Sequence, residues 1–482
     1  METDVSTPAS PPGSTGGLAQ LVRGFGALAA ASLVGQLLAF AALAYVARRT
    51  GPANLGAYTL ALLLATYCNL VASVGIDYLA MRDVAQNRHT IGAVVAETLV
   101  LQSVLSAIMY IALLVLAPVL LPSREAQGLA PIVGLILLTS TFTLDWAMLA
   151  LGRSGSVAIW RLLGQVVYAA LVPLFVVGGT SGIFHYAWLN ILGLVVTSFG
   201  LLWALSRAAR ARLHVSGFRA LLLRLRRSIP FGYSLIMIQI YASIGILILG
   251  YVESTHAVGI YAVACKLPLA LIVFANLWVS VVFPHTAQRL LADPRGFAHD
   301  LGRMVTTTLV ISAAVTIGAF LCAGTLMATM FGASFQEASV PFALLSFAAA
   351  LVLVQANFST VLLAGGSERF YAVVMTVAAA AIVLLNLILI PLLGISGAAI
   401  STVVGEIGLT TVTLVGVRRR ICPVPLDPVR LARGLGAVGL MALAMIGARS
   451  VGGAVVQVGV ALPTFVIAAW AFRVLDPDLI LR

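Results

Sequence analysis

Fourteen stretches of apolar residues, all but one of them 20 or more residues long, limit this chain more than any other feature. They cover 25–47, 55–76, 91–120, 129–151, 157–178, 182–205, 229–252, 257–284, 304–330, 338–364, 370–393, 395–417, 431–448 and 453–475. An α-helix rises about 1.5 Å per residue and a bilayer core is about 30 Å thick, so each stretch suits one crossing. Unbroken runs with scattered Gly and Pro predict helices; barrel strands would show short alternating segments. Only 9% of the 482 residues are charged, against about 25% in a water-soluble domain. The predicted fold class is all-α: a polytopic membrane protein with about 14 transmembrane helices.

Arginine placement predicts the orientation. With the N-terminus inside, 23 of the 27 arginines fall on the cytoplasmic side, leaving Arg48, Arg49, Arg124 and Arg449 on the other. This is a strong positive-inside bias, and one missed span would reverse every later loop. Both termini are expected on the cytoplasmic side. The start of the chain, rich in Ser, Thr, Pro and Gly, lacks the positive opening of a signal peptide and predicts a disordered tail over 1–20. The expected division is then a six-helix lobe over 21–205, a basic cytoplasmic loop over 206–228, a second six-helix lobe over 229–420, and helices 13 and 14 over 421–482. The net charge of +12 needs no nucleic-acid partner, because the run from Arg207 to Arg227 serves as orientation signal and contact for anionic membrane lipids.

Several chemistries are excluded or disfavoured. Lys266 is the only lysine and follows Cys265, so no Walker phosphate loop exists. The six histidines are scattered without an HExxH pattern, no nucleophile elbow is present, and the four cysteines have no paired spacing. Outward loops are short, which disfavours a membrane glycosyltransferase or polymerase. The chain is expected not to be an enzyme and to hold no metal or cofactor; a proton or sodium gradient is its suspected source of energy. A transporter or channel is what this pattern fits.

Two segments 203 residues apart share one pattern. Leu55-Gly56-Ala57-Tyr58-Thr59-Leu60-Ala61 opens the second stretch and Val258-Gly259-Ile260-Tyr261-Ala262-Val263-Ala264 opens the eighth. The same offset brings Gln36 onto Gln239. An even number of spans separates the copies, so the lobes would share one polarity about an axis along the membrane normal, with a cavity between them.

A charge at the centre of a spanning helix costs about 2.5–3.5 kcal/mol on insertion scales, which makes each one a functional candidate. Lys266 lies nine residues into its stretch, about 13 Å deep at helical rise, just before Pro268. Its compact ammonium suits transient binding of a phosphate; a snorkelling or carbonyl-paired lysine is the alternative. Glu406 lies near the midplane beside Gly397, Ser401 and Gly405, and either packs as a protonated carboxyl or carries a coupling ion. Glu97 receives the same two readings. Asp145 and Arg161 flank a short turn at comparable depth and predict an ion pair.

Together these residues carry a family resemblance. Ala47-Arg48-Arg49-Thr50-Gly51-Pro52, Gly75-Ile76-Asp77-Tyr78-Leu79-Ala80-Met81-Arg82, Asp145-Trp146 through Gly152-Arg153, Val258 through Leu267 with Phe283-Pro284, Phe331-Gly332, Leu362 through Gly366, and Asn386 with Ile390-Pro391 through Ile400 occur in a familiar order. The chain resembles the polysaccharide (Wzx-type) flippases of the multidrug, oligosaccharidyl-lipid and polysaccharide export superfamily over most of residues 20–420, with Thr50 where the family usually has Leu. The resemblance implies two lobes around a cationic lumen, flipping an undecaprenyl-pyrophosphate-linked oligosaccharide outward by ion-coupled alternating access. It implies a role in surface or exopolysaccharide biosynthesis, alongside polymerase and glycosyltransferase partners. Lys266, Arg48 and Arg82 fall on family motifs as substrate-binding candidates, and depth adds Arg161. Glu97, Glu406 and Asp145 are the ion-coupling candidates. Fourteen stretches exceed the family's usual twelve, which keeps a peptidoglycan-precursor flippase open beside a drug or cation antiporter.

Overall fold

A computed structural model describes residues 14–208, 214–215, 217–450 and 452–472. Among these the chain is helical, without strands: α1 (Ser14–Ser73), α2 (Ile76–Gln86), α3 (Ile91–Leu120), α4 (Arg124–Thr141), α5 (Asp145–Ala150), α6 (Ser154–Phe175), α7 (Gly179–Ala208), α8 (Phe218–Val252), α9 (Thr255–Ala292), α10 (Pro294–Phe331), α11 (Ser339–Ala364), α12 (Glu368–Arg420), α13 (Pro428–Ala448) and α14 (Ala454–Ala471). The polar residues between apolar runs start these helices. Ser123, Ser254, Asp293 and Asp427 each accept a backbone N–H of the turn they open, and Pro294 and Pro428 occupy first positions where no N–H is needed.

Eleven helices among the described residues are long and apolar enough to cross a membrane, and Val456–Ala471 is a shorter apolar one. The sequence predicts fourteen stretches, and the two counts differ for a local reason. In α1 the chain leaves helical geometry at Gly51 (φ 78°) before Pro52, and in α12 at Gly394 (φ 56°) after Pro391. Left-handed φ values suit a residue without Cβ. Each of these long helices is therefore two membrane-length segments joined at a kink.

The predicted tail and basic loop need revision. Residues 1–13 lie outside the described residues, but 14–20 already belong to α1. Of the loop expected over 206–228, Phe218 onward is the first part of α8. Arg210, Arg212, Arg473 and Arg482, counted in the orientation argument, lie outside the described residues. The stretch expected over 129–151 breaks at Phe142–Leu144 into α4 and α5. There Thr139, Ser140, Thr141 and Thr143 hydrogen-bond back to helix carbonyls, offering the backbone an alternative to helix, and Thr143 also reaches Ser198 on α7.

Packing divides the chain into two linked halves. In the first, α1 contacts α4 and α6, and α6 contacts α7; in the second, α11 contacts α9, α10 and α12. The second segment of α1 joins the halves by packing on α9, and Leu55, Tyr58, Ala61, Ile260, Tyr261 and Ala264, all from the repeated motif, share one buried cluster. α13 packs on α10 and α14, with Val438, Met441 and Met445 against Val310, Ala314 and Cys322. Large apolar side chains such as Val119, Leu174, Phe199 and Leu392 stay exposed, a perimeter suited to hydrocarbon. The molecule is a multi-pass membrane protein.

Candidate functional site

The two copies of the repeated motif meet each other. A Cβ on Gly56 would lie 1.7 Å from the Thr255 carbonyl oxygen, and one on Gly259 would lie 1.9 Å from that of Pro52. Thr255 and Pro52 are themselves 203 residues apart, so the contact is reciprocal: each residue touches its partner's equivalent. Such self-matching contacts occur where a two-fold axis passes between equivalent surfaces. Only glycine permits backbone approach this close. Beside this seam Arg48 reaches from α1 to the end of α10, where its Nε donates to the Met330 carbonyl at 2.9 Å and its Nη2 to that of Thr329. These carbonyls end a helix and have no partner within it, and a cation there is favoured by the helix dipole.

A second seam closes the opposite end, some 22 residues and so about 30 Å along α1. Gly232 on α8 packs against the backbone of Val74. Arg224, also on α8, donates from Nε to Glu97 at 3.0 Å on α3 and from Nη1 to Asp83 at 3.4 Å on α2. Arg82 is half exposed here, 3.9 Å from Asp83 and stacked 5.9 Å over the Phe231 ring. The sequence places Arg224 in a lipid-contacting loop; it is instead the cation that ties the halves together.

Between the seams lies Lys266, about 10 Å along α9 from Gly259. Its side chain is exposed. Among the described residues no carboxylate lies within ion-pair distance of it. One turn earlier on α9, Tyr261 is buried and lies 3.5 Å from the Thr402 hydroxyl on α12.

The remaining candidates lie within one half or the other. Arg161 on α6 donates from Nε to Asp145 Oδ2 at 2.8 Å, forming the predicted ion pair, while Asp145 Oδ1 is buried without a hydrogen bond. Asp77, in the short helix α2, accepts 2.7 Å from the Gln102 side chain. Burial holds its pKa above the usual carboxylate value; the Gln102 hydrogen bond opposes this and the nearby Asp145 charge adds to it. Glu406 is buried between α12 and α8, accepting the Tyr241 hydroxyl at 2.7 Å. The structure thus does not gather the four basic candidates. Arg48 and Arg82 sit at opposite seams, Arg161 is paired within the first half, and Lys266 stands between.

Three residues that make polar contacts between helices here are not among the candidates from the sequence: Arg224, Asp77 and Tyr241. Arg224 is one of four closely spaced arginines with nothing to single it out, and Tyr241 is one aromatic in an apolar run. Asp77 carried a visible signal, a carboxylate four residues past the end of an apolar helix.

Comparison with known proteins agrees with this architecture. Chains sharing it include a structure described as "Lipid II flippase MurJ, inward closed conformation", at TM-score 0.72 and 13% identity, covering 94% of this chain and 99% of that one. They also include a multidrug resistance MATE family transporter of the MOP superfamily. Its inward-facing form aligns at TM-score 0.60 and 17% identity, covering 80% of this chain and 94% of the other. Its outward-facing form aligns at 0.53 and 19%, covering 83% and 95%. The fold is that of the MOP-superfamily membrane transporters. A search of curated proteins finds no significant sequence match. The family model described as "Polysaccharide biosynthesis protein" matches residues 21–289, more than half of the chain, and the chain belongs to that family.

Proposed function

We propose that this protein flips an undecaprenyl-pyrophosphate-linked oligosaccharide from the cytoplasmic to the outer leaflet of the bacterial inner membrane, by alternating access, for surface or exopolysaccharide synthesis. The observation that carries this reading is Lys266: an exposed ammonium on α9 between the two seams, with no carboxylate in ion-pair distance among the described residues, in a chain of the polysaccharide biosynthesis family. A pyrophosphate must cross low-dielectric material while its polyprenyl tail stays in lipid, and an interior cation offsets that cost. The arginine distribution assigns the Arg224 seam to the cytoplasm and the Gly56–Gly259 seam to the outside. Parting one while the other holds gives inward and outward access in turn. Arg82, exposed at the cytoplasmic seam, suits drawing the anionic headgroup in, and exposed Arg219, Arg226 and Arg227 suit a partner polymerase or glycosyltransferase.

Coupling to an ion falls best on Glu406. Glu97 and Asp145 already face arginines, so a proton arriving there would have to break an ion pair. Among the described residues Glu406 has only a tyrosine hydroxyl for a partner, on Oε1, which leaves Oε2 as the oxygen to gain a proton.

In proteoliposomes carrying a fluorescent polyprenyl-pyrophosphate oligosaccharide, Lys266→Ala is expected to lower translocation at least tenfold with unchanged membrane insertion. Lys266→Arg is expected to retain part of the rate. Equal rates for the alanine variant and the wild type would remove Lys266 from the site.

A second reading, a peptidoglycan-precursor flippase, is favoured by the structural match that covers 94% of the chain. The same assay with a lipid-linked disaccharide-peptide separates the two, the faster substrate being the assigned one.

A further inference from the structure

Arg49 is one of four arginines that the positive-inside pattern leaves on the unfavoured side. Its neighbour Arg48 is accounted for, because it caps α10. Arg49 is exposed, and among the described residues no carboxylate is paired with it. Its guanidinium stacks 5.5 Å over the Tyr45 ring, one helical turn away.

Tyr45 stands at the end of an open groove between α1 and α6. The groove has a volume of about 320 Å³, and its walls, among them Leu38, Ala41, Val166, Ala170 and Pro173, are almost wholly apolar. The Tyr45 hydroxyl donates to the Pro173 carbonyl at 3.3 Å, one of the last carbonyls of α6. It closes the polar end of the groove just where α6 and the first segment of α1 both finish. The apolar groove thus ends on an aromatic ring and on a guanidinium that no carboxylate among the described residues pairs. Aromatic rings and snorkelling arginines occupy the headgroup level of a bilayer.

We propose that this groove is a binding site for an anionic phospholipid, one acyl chain lying between α1 and α6 and the headgroup phosphate resting on Arg49. Charge complementarity selects this occupant: in a zwitterionic lipid the headgroup ammonium already neutralises the phosphate, whereas in an anionic phospholipid the phosphate charge is left for Arg49. The site lies on the first half alone and does not depend on the transported substrate.

Native mass spectrometry of the full-length protein, released from micelles with phosphatidylglycerol or phosphatidylcholine, tests the proposal. Wild type should retain phosphatidylglycerol preferentially. Arg49→Gln should reduce that retention about fivefold, the effect of one basic residue at a membrane surface, and leave phosphatidylcholine unchanged. Ala170→Phe, which fills the groove from an exposed position, should lower retention of both, and Val166→Trp provides a second such variant. Arg124→Gln, an exposed arginine away from the groove, should change nothing. Equal losses for Arg49→Gln and Arg124→Gln would reduce the effect to general surface charge and overturn the site. Displacement of bound phosphatidylglycerol by equimolar polyprenyl phosphate would overturn the phospholipid as occupant and give the groove to the substrate's tail.

Discussion

Arg224 joins two carboxylates, and both its side chain (10% exposed) and that of Glu97 (6%) are withdrawn from water. Removing one partner of such a pair strands the other's charge, at about 3–5 kcal/mol, while removing both is far cheaper. Arg224→Ala is therefore expected to lower the thermal unfolding midpoint in detergent more than the Arg224→Ala/Glu97→Gln double variant does. Asp77 acts in the opposite sense. Its raised pKa means that the folded chain binds a proton more readily than the unfolded one, so stability falls as pH rises from the unfolded value, about 3.9, through the folded one. Asp77→Asn keeps an acceptor for Gln102 and should raise the unfolding midpoint at pH 7, with a gain that shrinks toward pH 4. At Glu406, Glu406→Gln should uncouple transport from the proton gradient while leaving gradient-independent exchange; a variant that still follows the gradient would move coupling elsewhere. At this scale the sequence was informative at the Asp145–Arg161 pair, where two charges flank a short turn between apolar runs and the structure brings them together. It was uninformative for Arg224, because a charge among charges gives no sign of which one folds inward.

Between helices, the Gly56–Gly259 contact turns a repeated sequence motif into a seam. Alanine at either position would put a methyl group within 2 Å of a backbone carbonyl oxygen, and backbone cannot swing away as a side chain can. The seam should then part, shifting the population toward the conformation open at this end. Spin labels at Arg124 and Glu337, both exposed, in a background without the four native thiols, should report longer distances in Gly56→Ala and Gly259→Ala than in wild type. An unchanged distribution would show that the seam does not hold this end shut. The repeat and its offset were legible in the chain; that the two copies touch was not, since a motif fixes equivalent positions but not their distance from the axis. Val74 is also invisible in one dimension. It adopts φ 42° beside Gly232, a left-handed conformation that a β-branched residue disfavours, where α1 turns into α2 at the other seam.

Across the whole molecule, α13 and α14 are an addition packed on α10. A chain ending after Arg420 would expose Val310, Ala314 and Cys322, now covered by α13, and should insert but unfold at lower temperature. Unaltered stability would show that lipid covers that face as well as protein does. Sequence alone determined that this chain lies in a bilayer, that it is helical, and that its halves are related, because hydropathy, backbone hydrogen bonding and repetition act along the chain. Only the tertiary structure decided which arginines pair across the halves and that Gly51 and Gly394 join crossings into continuous kinked helices. Those outcomes depend on how helices distant in sequence rotate against one another, and a uniformly apolar surface carries little periodic signal to fix that rotation.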